Sequence, residues 1–394
     1  MARATNPRSL DIIYFSSIEW NHTWQRPQQL AYRLSRRGKL IYVNPLGLRS
    51  VVLMDLGRFM RRIAFKFWDR KATALDQTLR IYAPLFYFPF PESHLASKIN
   101  GRILRRSLQG LIKRLGIRTP IIWVGTPSTS VLEAIRGLDS KLLVYDCHDN
   151  FPFFHKNPYH IVEAEQWLAS QAQVVFATAA ELYDRMKLVN PRTYLIPNAA
   201  DYDHFAHSGI RNTKPPHDIV QLRKPIVGYM GEIAQWFDLD LVYNVAIQHP
   251  DWNIVLIGPV HVTSAHRLFR LPNVHRLGHR EYAELPAYVN QFDVCILPFK
   301  INALTSAVNP VKLYEYLAAG KPVVSTPLPE VLPFRSVVEI ATHESFPRAI
   351  ESALEQNDEA KVRERRQVAM QNTWDQRIDQ ILSAIREYCD PLVN

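Results

Sequence analysis

Short apolar runs alternate with helix-like segments along nearly the whole chain, and this alternation is the strongest constraint on its fold. The order predicts parallel strands joined by crossover helices, such as Pro27–Arg37 and Arg102–Leu115, with both sheet faces covered. A first series of predicted strands comprises Asp11–Ser16, Leu40–Val43, Leu79–Ala83, Ile121–Val124, Leu142–Tyr145, Val174–Ala177 and Thr193–Ile196. A second series comprises Ile226–Met230, Ile254–Ile257, Val274–Arg276, Val294–Leu297 and Val323–Ser325.

A polar stretch with three prolines, residues 205–225, separates the two series and predicts a linker. It divides a first domain, residues 1–204, from a second, residues 226–372. Residues 373–394 predict a final helix that could pack on either domain, including the first. The fold class is therefore predicted as α/β, with two doubly wound domains and a cleft between them. In such sheets ligands bind at the carboxyl ends of the strands.

The stretch "NPVKLYEYLAAGKPVVSTP", residues 309–327, predicts a loop, a short helix, a tight turn and a buried strand. Pro310 suits the start of a helix, and Gly320 with Pro322 suits its end. Lys312 then lies in the first turn, where backbone N–H groups and the helix dipole attract anions. The stretch is typical of a phosphate-binding site.

Positive charge is concentrated in the first third of the chain. Of the 47 lysines and arginines, 22 lie in residues 1–120, which contain six acidic residues. The excess indicates an anionic partner for this third, either a membrane surface or nucleic acid.

Three scattered cysteines fit neither a disulfide framework nor a metal site, which favours a reducing compartment. The chain shows neither a signal peptide nor a run of about 18 apolar residues. We therefore expect a cytoplasmic protein, peripheral on the inner face of the cell membrane.

Several motifs together resemble bacterial GT-B glycosyltransferases of the "group 1" family. In the second domain they are "GYMGEI", "NVHRLGHREYAELPAYVNQFDVCILPF" and "NPVKLYEYLAAGKPVVSTP". In the first domain, "SSIEWNHTWQRPQQLAYRL" and "VYDCHDN" resemble a branch that builds cell-surface polysaccharides. The resemblance implies two Rossmann-like domains and transfer of a sugar from a nucleotide-sugar donor.

The resemblance also implies the residues that bind the donor. The carboxylate of Glu315 would accept hydrogen bonds from the ribose hydroxyls, and Lys312 would face the diphosphate. A solvated surface position is the alternative for each. The backbone after the strand Val274–Arg276 would meet the nucleobase. The predicted donor-binding residues are Glu315, Lys312, Asn309, Pro310, Val311, Gly231, Glu232, Gly278, His279, Arg280 and Tyr314.

Two departures from the family pattern leave the stereochemistry open. Many retaining members have a second glutamate eight positions before the one matching Glu315, where this chain has Ala307. They also have an arginine and a lysine soon after the first glycine motif, where this chain has "GEIAQWFDLD". Both inversion and retention of the configuration at the anomeric carbon are therefore open.

An inverting transfer needs a general base for the acceptor hydroxyl. The motif "VYDCHDN" offers Asp146, His148 and Asp149 at the end of a predicted strand. Asp149 is the first candidate because it lies furthest into the loop, and His148 is the second. Formation of a local turn is the alternative role for either residue.

The loop "SSIEWNHTWQRPQQL" follows the first predicted strand and would approach the donor phosphates or the acceptor. Trp20 and Trp24 could stack on a sugar, and Arg26 could bind a phosphate through two hydrogen bonds. Alternatively, Trp24 packs between the domains and Arg26 pairs with an acid.

Residues 58–71, "RFMRRIAFKFWDRK", interleave bases and aromatics in the manner of an interfacial membrane segment. The predicted membrane contacts are Arg61, Arg62, Lys66, Phe67 and Trp68. A nucleic-acid-binding protein and a sugar-nucleotide epimerase are the rival interpretations. We favour a glycosyltransferase with a lipid-linked or saccharide acceptor that binds an anionic membrane and no nucleic acid. We expect no cofactor and no essential metal, and a UDP-sugar donor rather than a GDP-sugar.

Overall fold

The computed structural model describes residues 10–45, 78–84, 93–154, 159–206, 215–262 and 266–389. Two compact units divide the chain, one within Met1–Ile196 and Ile378–Asn394 and the other within Pro197–Arg377. The basic aromatic segment, residues 58–71, lies outside the described residues. So does the middle of the predicted linker, residues 207–214.

The first unit is built on a parallel sheet. Its described strands are β1 (Ile12–Phe15), β2 (Leu40–Val43), β3 (Leu79–Tyr82), β4 (Ile121–Val124), β5 (Leu142–Cys147), β6 (Val174–Ala177) and β7 (Thr193–Leu195). Their order across the sheet is β3-β2-β1-β4-β5-β6-β7. The described helices are α1 (Arg26–Leu34), α2 (His94–Leu115), α3 (Thr129–Ile135), α4 (Tyr159–Gln171) and α5 (Ala180–Lys187), with 3₁₀ turns at Ser35–Arg37 and Phe151–Phe154.

The second unit is built on another parallel sheet, with strands β8 (Ile226–Met230), β9 (Asn253–Ile257), β10 (Val274–Gly278), β11 (Val294–Leu297), β12 (Val323–Ser325) and β13 (Glu339–Ile340). Their order is β10-β9-β8-β11-β12-β13. The helices are α6 (Tyr202–Ala206), α7 (His217–Val220), α8 (Leu239–Gln248), α9 (Leu285–Val289), α10 (Val311–Ala318), α11 (Phe346–Glu355), α12 (Glu359–Met370) and α13 (Trp374–Cys389). Short 3₁₀ turns lie at Arg267–Arg270, Thr305–Ala307 and Leu332–Phe334. Helix α13 begins in this unit and continues into the range of the first.

The predicted parallel α/β organisation is confirmed in both units. Every residue of β1, β2, β4 and β6 is buried, which explains why these strands are continuous apolar runs. Strand β5 continues past its predicted end at Tyr145, so that Asp146 and Cys147 lie within the strand. Strand β13 was missed because two residues without an apolar run give no strand signal.

The packing of β8 depends on a residue without a side chain. Gly228 lies against the ring of Phe292, and a Cβ atom at position 228 would lie 2.2 Å from that ring. Gly110, on helix α2, has no such neighbour, since nothing lies within 4 Å of a Cβ atom placed there. The two glycines therefore have different structural roles.

Gly228→Ala is expected to lower the free energy of unfolding by about 1–3 kcal/mol, because the added methyl group overlaps Phe292. The matched control, Gly110→Ala, is expected to raise it by about 0.5–1 kcal/mol, because alanine favours an exposed helix. Urea denaturation of both variants measures the difference. A Gly228→Ala variant as stable as the wild type would contradict this packing.

Candidate functional site

Three neighbouring strands of the second unit end in glycine-containing turns at the carboxyl edge of the sheet. Gly231 follows β8, Gly258 follows β9, and Gly278 ends β10. All three have positive φ angles, of 147°, 133° and 72°. The N–H group of Gly258 donates to the carbonyl oxygen of Gly278 at 2.8 Å, and a Cβ atom on Gly258 would lie 2.2 Å from the Gly231 oxygen. This glycine row brings backbone close to backbone and leaves room for a ligand beside it.

The side chain of Lys312 lies across Gly231. A Cβ atom at position 231 would lie only 1.7 Å from Lys312 Cε, so this approach requires glycine. Burial lowers the pKa of Lys312, while the carboxylates of Glu315 and Glu232 raise it. The burial dominates, so the pKa of Lys312 is lowered, and its ammonium group lies beside Gly231.

Helix α10 carries Lys312 and Glu315 one turn apart, as predicted. Pro310 is the N-cap residue and Val311 the first helical residue, so the proline lies just outside the helix. Gly320 follows the C-cap with a φ angle of 75°, which confirms the predicted end. The N–H groups of the first turn and Lys312 therefore lie at the same end of the helix.

Glu315 is 4% exposed, and burial raises its pKa to about 8. The nearby Lys312 opposes this shift, and Asp201 adds to it. Among the residues that the structure describes, none forms a hydrogen bond or ion pair with the Glu315 carboxyl group. The group is therefore largely protonated at pH 7, and a bound hydrogen-bond donor would favour its carboxylate form.

The side chains of Asn309 and Tyr314 make contacts within the second unit. The side chain of Asn309 donates to Glu330 Oε2 at 3.0 Å and accepts from the N–H group of Asn198 at 3.1 Å. Tyr314 is 1% exposed, and its ring packs edge-on against Phe334. These contacts hold the two residues in place next to Lys312 and Glu315, and their contact with the donor stays a prediction.

Arg280 is also held by protein groups. Its guanidinium donates to the Tyr288 hydroxyl at 2.6 Å and to Asp218 Oδ2 at 2.5 Å. Burial raises the pKa of Asp218, but the hydrogen bonds from Arg280 and Tyr288 outweigh it and leave the pKa lowered. The side chain of Arg280 thus fixes the loop after β10, and the exposed side chain of His279 lies 3.8 Å from Glu281.

Glu232 lies directly after Gly231. Its Oε2 atom lies 3.8 Å from His261 Nε2, and its carbonyl oxygen accepts from the Tyr229 hydroxyl at 2.9 Å. Glu232, the glycine row and helix α10 together form a polar surface at the carboxyl edge of the second unit's sheet.

In the first unit, four strand ends converge on His148, which follows β5. Its Nε2 atom lies 2.9 Å from Ser17 Oγ, after β1, and its Nδ1 atom lies 3.0 Å from the Asp146 carbonyl oxygen. Gly125, after β4, leaves space for the ring, since a Cβ atom there would lie 3.3 Å from His148 Cε1. Thr178, after β6, donates to the His148 carbonyl oxygen at 3.1 Å.

Asp149 lies beside the same imidazole. Its Oδ2 atom is 3.8 Å from His148 Nε2, and its side chain is 36% exposed, compared with 4% for His148. The two predicted catalytic candidates are therefore neighbours, with the carboxylate on the more exposed side.

Arg26 pairs with an acid, which favours the alternative interpretation over a phosphate contact. It is 2% exposed, and its Nε atom donates to both Asp146 oxygens, at 3.0 and 3.1 Å. A further hydrogen bond runs from Arg26 to the Ile196 carbonyl oxygen at 3.0 Å, and Tyr14 donates to Asp146 at 3.3 Å. Burial raises the pKa of Tyr14, and the Asp146 carboxylate raises it further. Asp146, a strand residue, is thus part of the core and not a loop residue.

Trp20 and Trp24 pack against one another and against neighbouring tyrosines. The ring centroids of the two tryptophans are 5.5 Å apart, and Trp20 lies edge-on to Tyr42 at 5.0 Å. Both tryptophans are half-buried, so part of each ring faces solvent. Contact with a sugar remains a prediction.

The described part of the chain contains no group of three His, Cys, Asp or Glu side chains suited to hold a metal ion. Nor does any helix in that part have the length and apolar character needed to cross a membrane.

The comparison with known families decides the class of the protein. A family model described as glycosyl transferases group 1 matches residues 224–356, which contain the glycine row and helix α10. A protein of Bacillus subtilis (strain 168), named as the teichuronic acid biosynthesis glycosyltransferase TuaH, is 30% identical over 284 residues. The match covers 66% of this chain and 70% of that protein. This chain belongs to the group 1 glycosyltransferases.

Solved structures show that this glycosyltransferase has the GT-B fold. Alr3699/HepE of Anabaena, solved with UDP and glucose, has a TM-score of 0.66 and is 16% identical, covering 96% of this chain and 100% of its own. Sucrose-phosphate synthase of Thermosynechococcus elongatus has a TM-score of 0.65 and is 14% identical, covering 96% and 98%. The predicted GT-B fold and the predicted enzyme class are confirmed.

Sequence reasoning missed several residues that this glycosyltransferase places at its polar strand ends. Gly258 and Ser17 each directly follow or adjoin a predicted strand, as Gly231 and His148 do. Their positions in the sequence were therefore a usable signal. No comparable sequence signal marks Glu330 or Asn198, because their contacts with Asn309 join loops that are far apart in the chain.

Proposed function

We propose that this glycosyltransferase moves a sugar from a nucleotide-sugar to an acceptor in cell-surface polysaccharide synthesis. The observation that carries the proposal is the pair of Lys312 and Glu315 on helix α10, beside the glycine row. The name of the Bacillus subtilis relative, which mentions teichuronic acid biosynthesis, supports the polysaccharide. The UDP bound to Alr3699/HepE supports a UDP-sugar as donor.

Each group at this strand edge has a chemical role in donor binding. Lys312 and the N–H groups at the start of helix α10 bind the diphosphate, which needs positive charge and hydrogen-bond donors. Glu315 accepts hydrogen bonds from the ribose hydroxyls. Gly278 and His279 offer backbone groups to the nucleobase, in a loop that Arg280 fixes through Asp218.

Donor binding is expected to depend on pH through Glu315. Because the pKa of Glu315 is about 8 in the unliganded protein, binding to its carboxylate form must release a proton at lower pH. The dissociation constant for UDP-glucose, whose diphosphate does not titrate in this range, should fall about tenfold per pH unit from pH 6 to 8 and then level off. Isothermal titration calorimetry at a series of pH values measures it.

The control is Glu315→Gln, which keeps the shape of the side chain but cannot ionise. It should bind UDP-glucose more weakly at pH 8 and with little dependence on pH. Equal pH profiles for the wild type and Glu315→Gln would remove Glu315 from the donor site.

His148 and Asp149 together supply the general base for the acceptor hydroxyl in our proposal. An imidazole and a carboxylate 3.8 Å apart can hold the incoming proton as an imidazolium paired with a carboxylate. The position at which many retaining enzymes have a glutamate is the buried Ala307. We therefore propose an inverting transfer that uses this base.

Asp149→Asn should reduce sugar transfer by about 100-fold or more, because the amide cannot stabilise the protonated His148. The dissociation constant for the nucleotide should stay within about twofold of the wild-type value, since Asp149 belongs to the first unit and the proposed donor site to the second. Steady-state kinetics and calorimetry on the same preparation separate the two effects. Wild-type turnover by Asp149→Asn would exclude this residue from the base.

The acceptor in our proposal is linked to a lipid, and the enzyme binds the cytoplasmic leaflet. The supporting observation is the basic excess of residues 1–120, with the aromatic residues interleaved in 58–71. Each base near an anionic surface contributes about 1 kcal/mol, and interfacial aromatics add apolar contact. Together they are sufficient for peripheral binding without a spanning helix.

The protein should sediment with vesicles containing anionic lipid at low salt and be released as salt rises, because the Debye length falls from about 10 Å at 0.1 M to about 3 Å at 1 M. Serine variants of the bases should weaken this binding. Serine variants of the aromatic residues should reduce the fraction of protein that stays bound to the vesicles at high salt. The residues to be replaced are Arg61, Arg62, Lys66, Phe67 and Trp68. Binding to single-stranded nucleic acid but not to vesicles would contradict the proposal.

A further inference from the structure

The start of helix α10 has no side-chain cap. The N-cap residue, Pro310, carries no polar side-chain atom, so it cannot accept a hydrogen bond from the N–H groups of the first turn. These N–H groups stay available to a ligand, but their direction must be fixed in another way. The contacts of the preceding residue, Asn309, supply this.

Asn309 is buried and forms hydrogen bonds with two segments that are distant in the chain. Its Oδ1 atom accepts from the N–H group of Asn198 at 3.1 Å, and its carbonyl oxygen accepts from Asn198 Nδ2 at 2.7 Å. Its own Nδ2 atom donates to Glu330 Oε2 at 3.0 Å. Asn198 therefore holds both the side chain and the main chain of the residue next to Pro310.

The guanidinium of Arg377, a buried residue, holds the other end of the peptide group that precedes Asn198. Its Nε atom donates to the Pro197 carbonyl oxygen at 3.1 Å, and Nη2 donates to Asn372 Oδ1 at 2.6 Å. The Pro197 carbonyl and the Asn198 N–H group belong to one peptide unit, which is planar and resists rotation. A hydrogen bond at one end of this unit therefore helps to fix and strengthen the hydrogen bond at its other end.

Helix α10 meets the same group of residues through Tyr314. Burial raises the pKa of the Tyr314 hydroxyl to about 12, and hydrogen bonds with Asn309 and Arg377 oppose the rise. All of these residues belong to the second unit, Pro197–Arg377. The first and last residues of the unit are thus bonded to each other and, through Asn198, to the start of helix α10.

We propose that Arg377 is a positioning residue for donor binding, which acts through the Pro197–Asn198 peptide and Asn309 on the start of helix α10. The inference rests on the proposed binding of a nucleotide-sugar at this helix. Arg377 itself does not touch the donor. It fixes the main chain before Pro310, and thereby the direction of the N–H groups that follow. An anion binds more tightly to N–H groups whose direction is fixed before it arrives.

Arg377→Met removes the guanidinium but keeps an unbranched side chain. The dissociation constant for UDP-glucose should rise about 3- to 30-fold, the range expected for a residue that acts through a hydrogen-bonded network. Arg377→Lys keeps the charge and a hydrogen-bond donor, so it should recover part of the lost affinity. Isothermal titration calorimetry at pH 8 measures both variants. A dissociation constant equal to that of the wild type in Arg377→Met would overturn the positioning role.

The matched control is Arg365→Met, at the opposite end of the same helix. Arg365 is also buried, and its Nη1 atom donates to the carbonyl oxygen of Gly320, just after helix α10. Its loss should lower the free energy of unfolding, because a buried carbonyl group loses its partner, but it leaves the start of the helix unchanged. The dissociation constant for UDP-glucose should stay within about twofold of the wild-type value. An equal loss of affinity in Arg365→Met and Arg377→Met would indicate a general effect of stability and overturn the proposal.

A double-mutant cycle tests the route through Asn309. Asn309→Ala removes the side-chain oxygen that accepts from the Asn198 N–H group. If Arg377 acts by this route, Arg377→Met should weaken the binding of UDP-glucose less in the Asn309→Ala background than in the wild type. Equal effects in the two backgrounds would overturn the route.

Hydrogen exchange tests the same link without a ligand. The Asn198 amide, which donates to Asn309, should exchange faster in Arg377→Met than in the wild type, because its peptide group has lost the hydrogen bond at the carbonyl end. Arg365→Met should keep the wild-type exchange rate at this amide. An unchanged rate in Arg377→Met would overturn the link.

Failure of the positioning role and failure of the proposed function give different results. A wild-type protein that binds UDP-glucose, with Arg377→Met binding it equally tightly, overturns the positioning role alone. A wild-type protein that binds no nucleotide-sugar overturns the proposed function, and the positioning role with it.

Discussion

Parallel strands that are buried on both faces restrict where polar chemistry can lie in this protein. Side chains within such strands point into one apolar layer or the other, so functional groups can gather only where the strands end. In both units polar residues of the candidate sites lie at or beside the carboxyl ends of strands. His148 and Ser17 lie there in the first unit, and Gly231 lies there beside Lys312 in the second. The position of each candidate site is therefore a consequence of strand direction.

Asp146 is the exception, and its surroundings show what a charge inside a strand requires. The carboxylate is fully buried, and Arg26 and Tyr14 satisfy it through hydrogen bonds. Removal of one partner of a buried pair leaves an uncompensated charge and costs about 3–5 kcal/mol. The backbone carbonyl oxygen of the same residue lies 3.0 Å from His148 Nδ1, so Asp146 contacts Arg26 through its side chain and the imidazole through its main chain.

Local sequence patterns were sufficient to predict strands β1 to β12, helix α10 and the spacing of Lys312 and Glu315. Each of these depends on residues within one or two turns or one strand. The contacts that these patterns did not predict join distant parts of the chain. Arg26 meets Asp146 across 120 positions, and Ser17 meets His148 across 131. Nothing in either segment alone specifies its partner, which is why Arg26 kept two interpretations, a phosphate contact or a pair with an acid, and Ser17 was missed.

The buried carboxyl group of Glu315 also affects the thermodynamics of folding. Its pKa is about 8 in the folded chain, whereas an ordinary glutamate has a pKa near 4.5. Below about pH 4.5 the group is protonated in both states, and its protonated form contributes fully to stability. As the pH rises to about 8 this contribution is lost, because only the unfolded chain releases the proton freely. Without a ligand, the second unit therefore becomes less stable as the pH rises from about 4.5 to about 8. A sugar donor bound to the carboxylate form of Glu315, as we propose, would offset that loss.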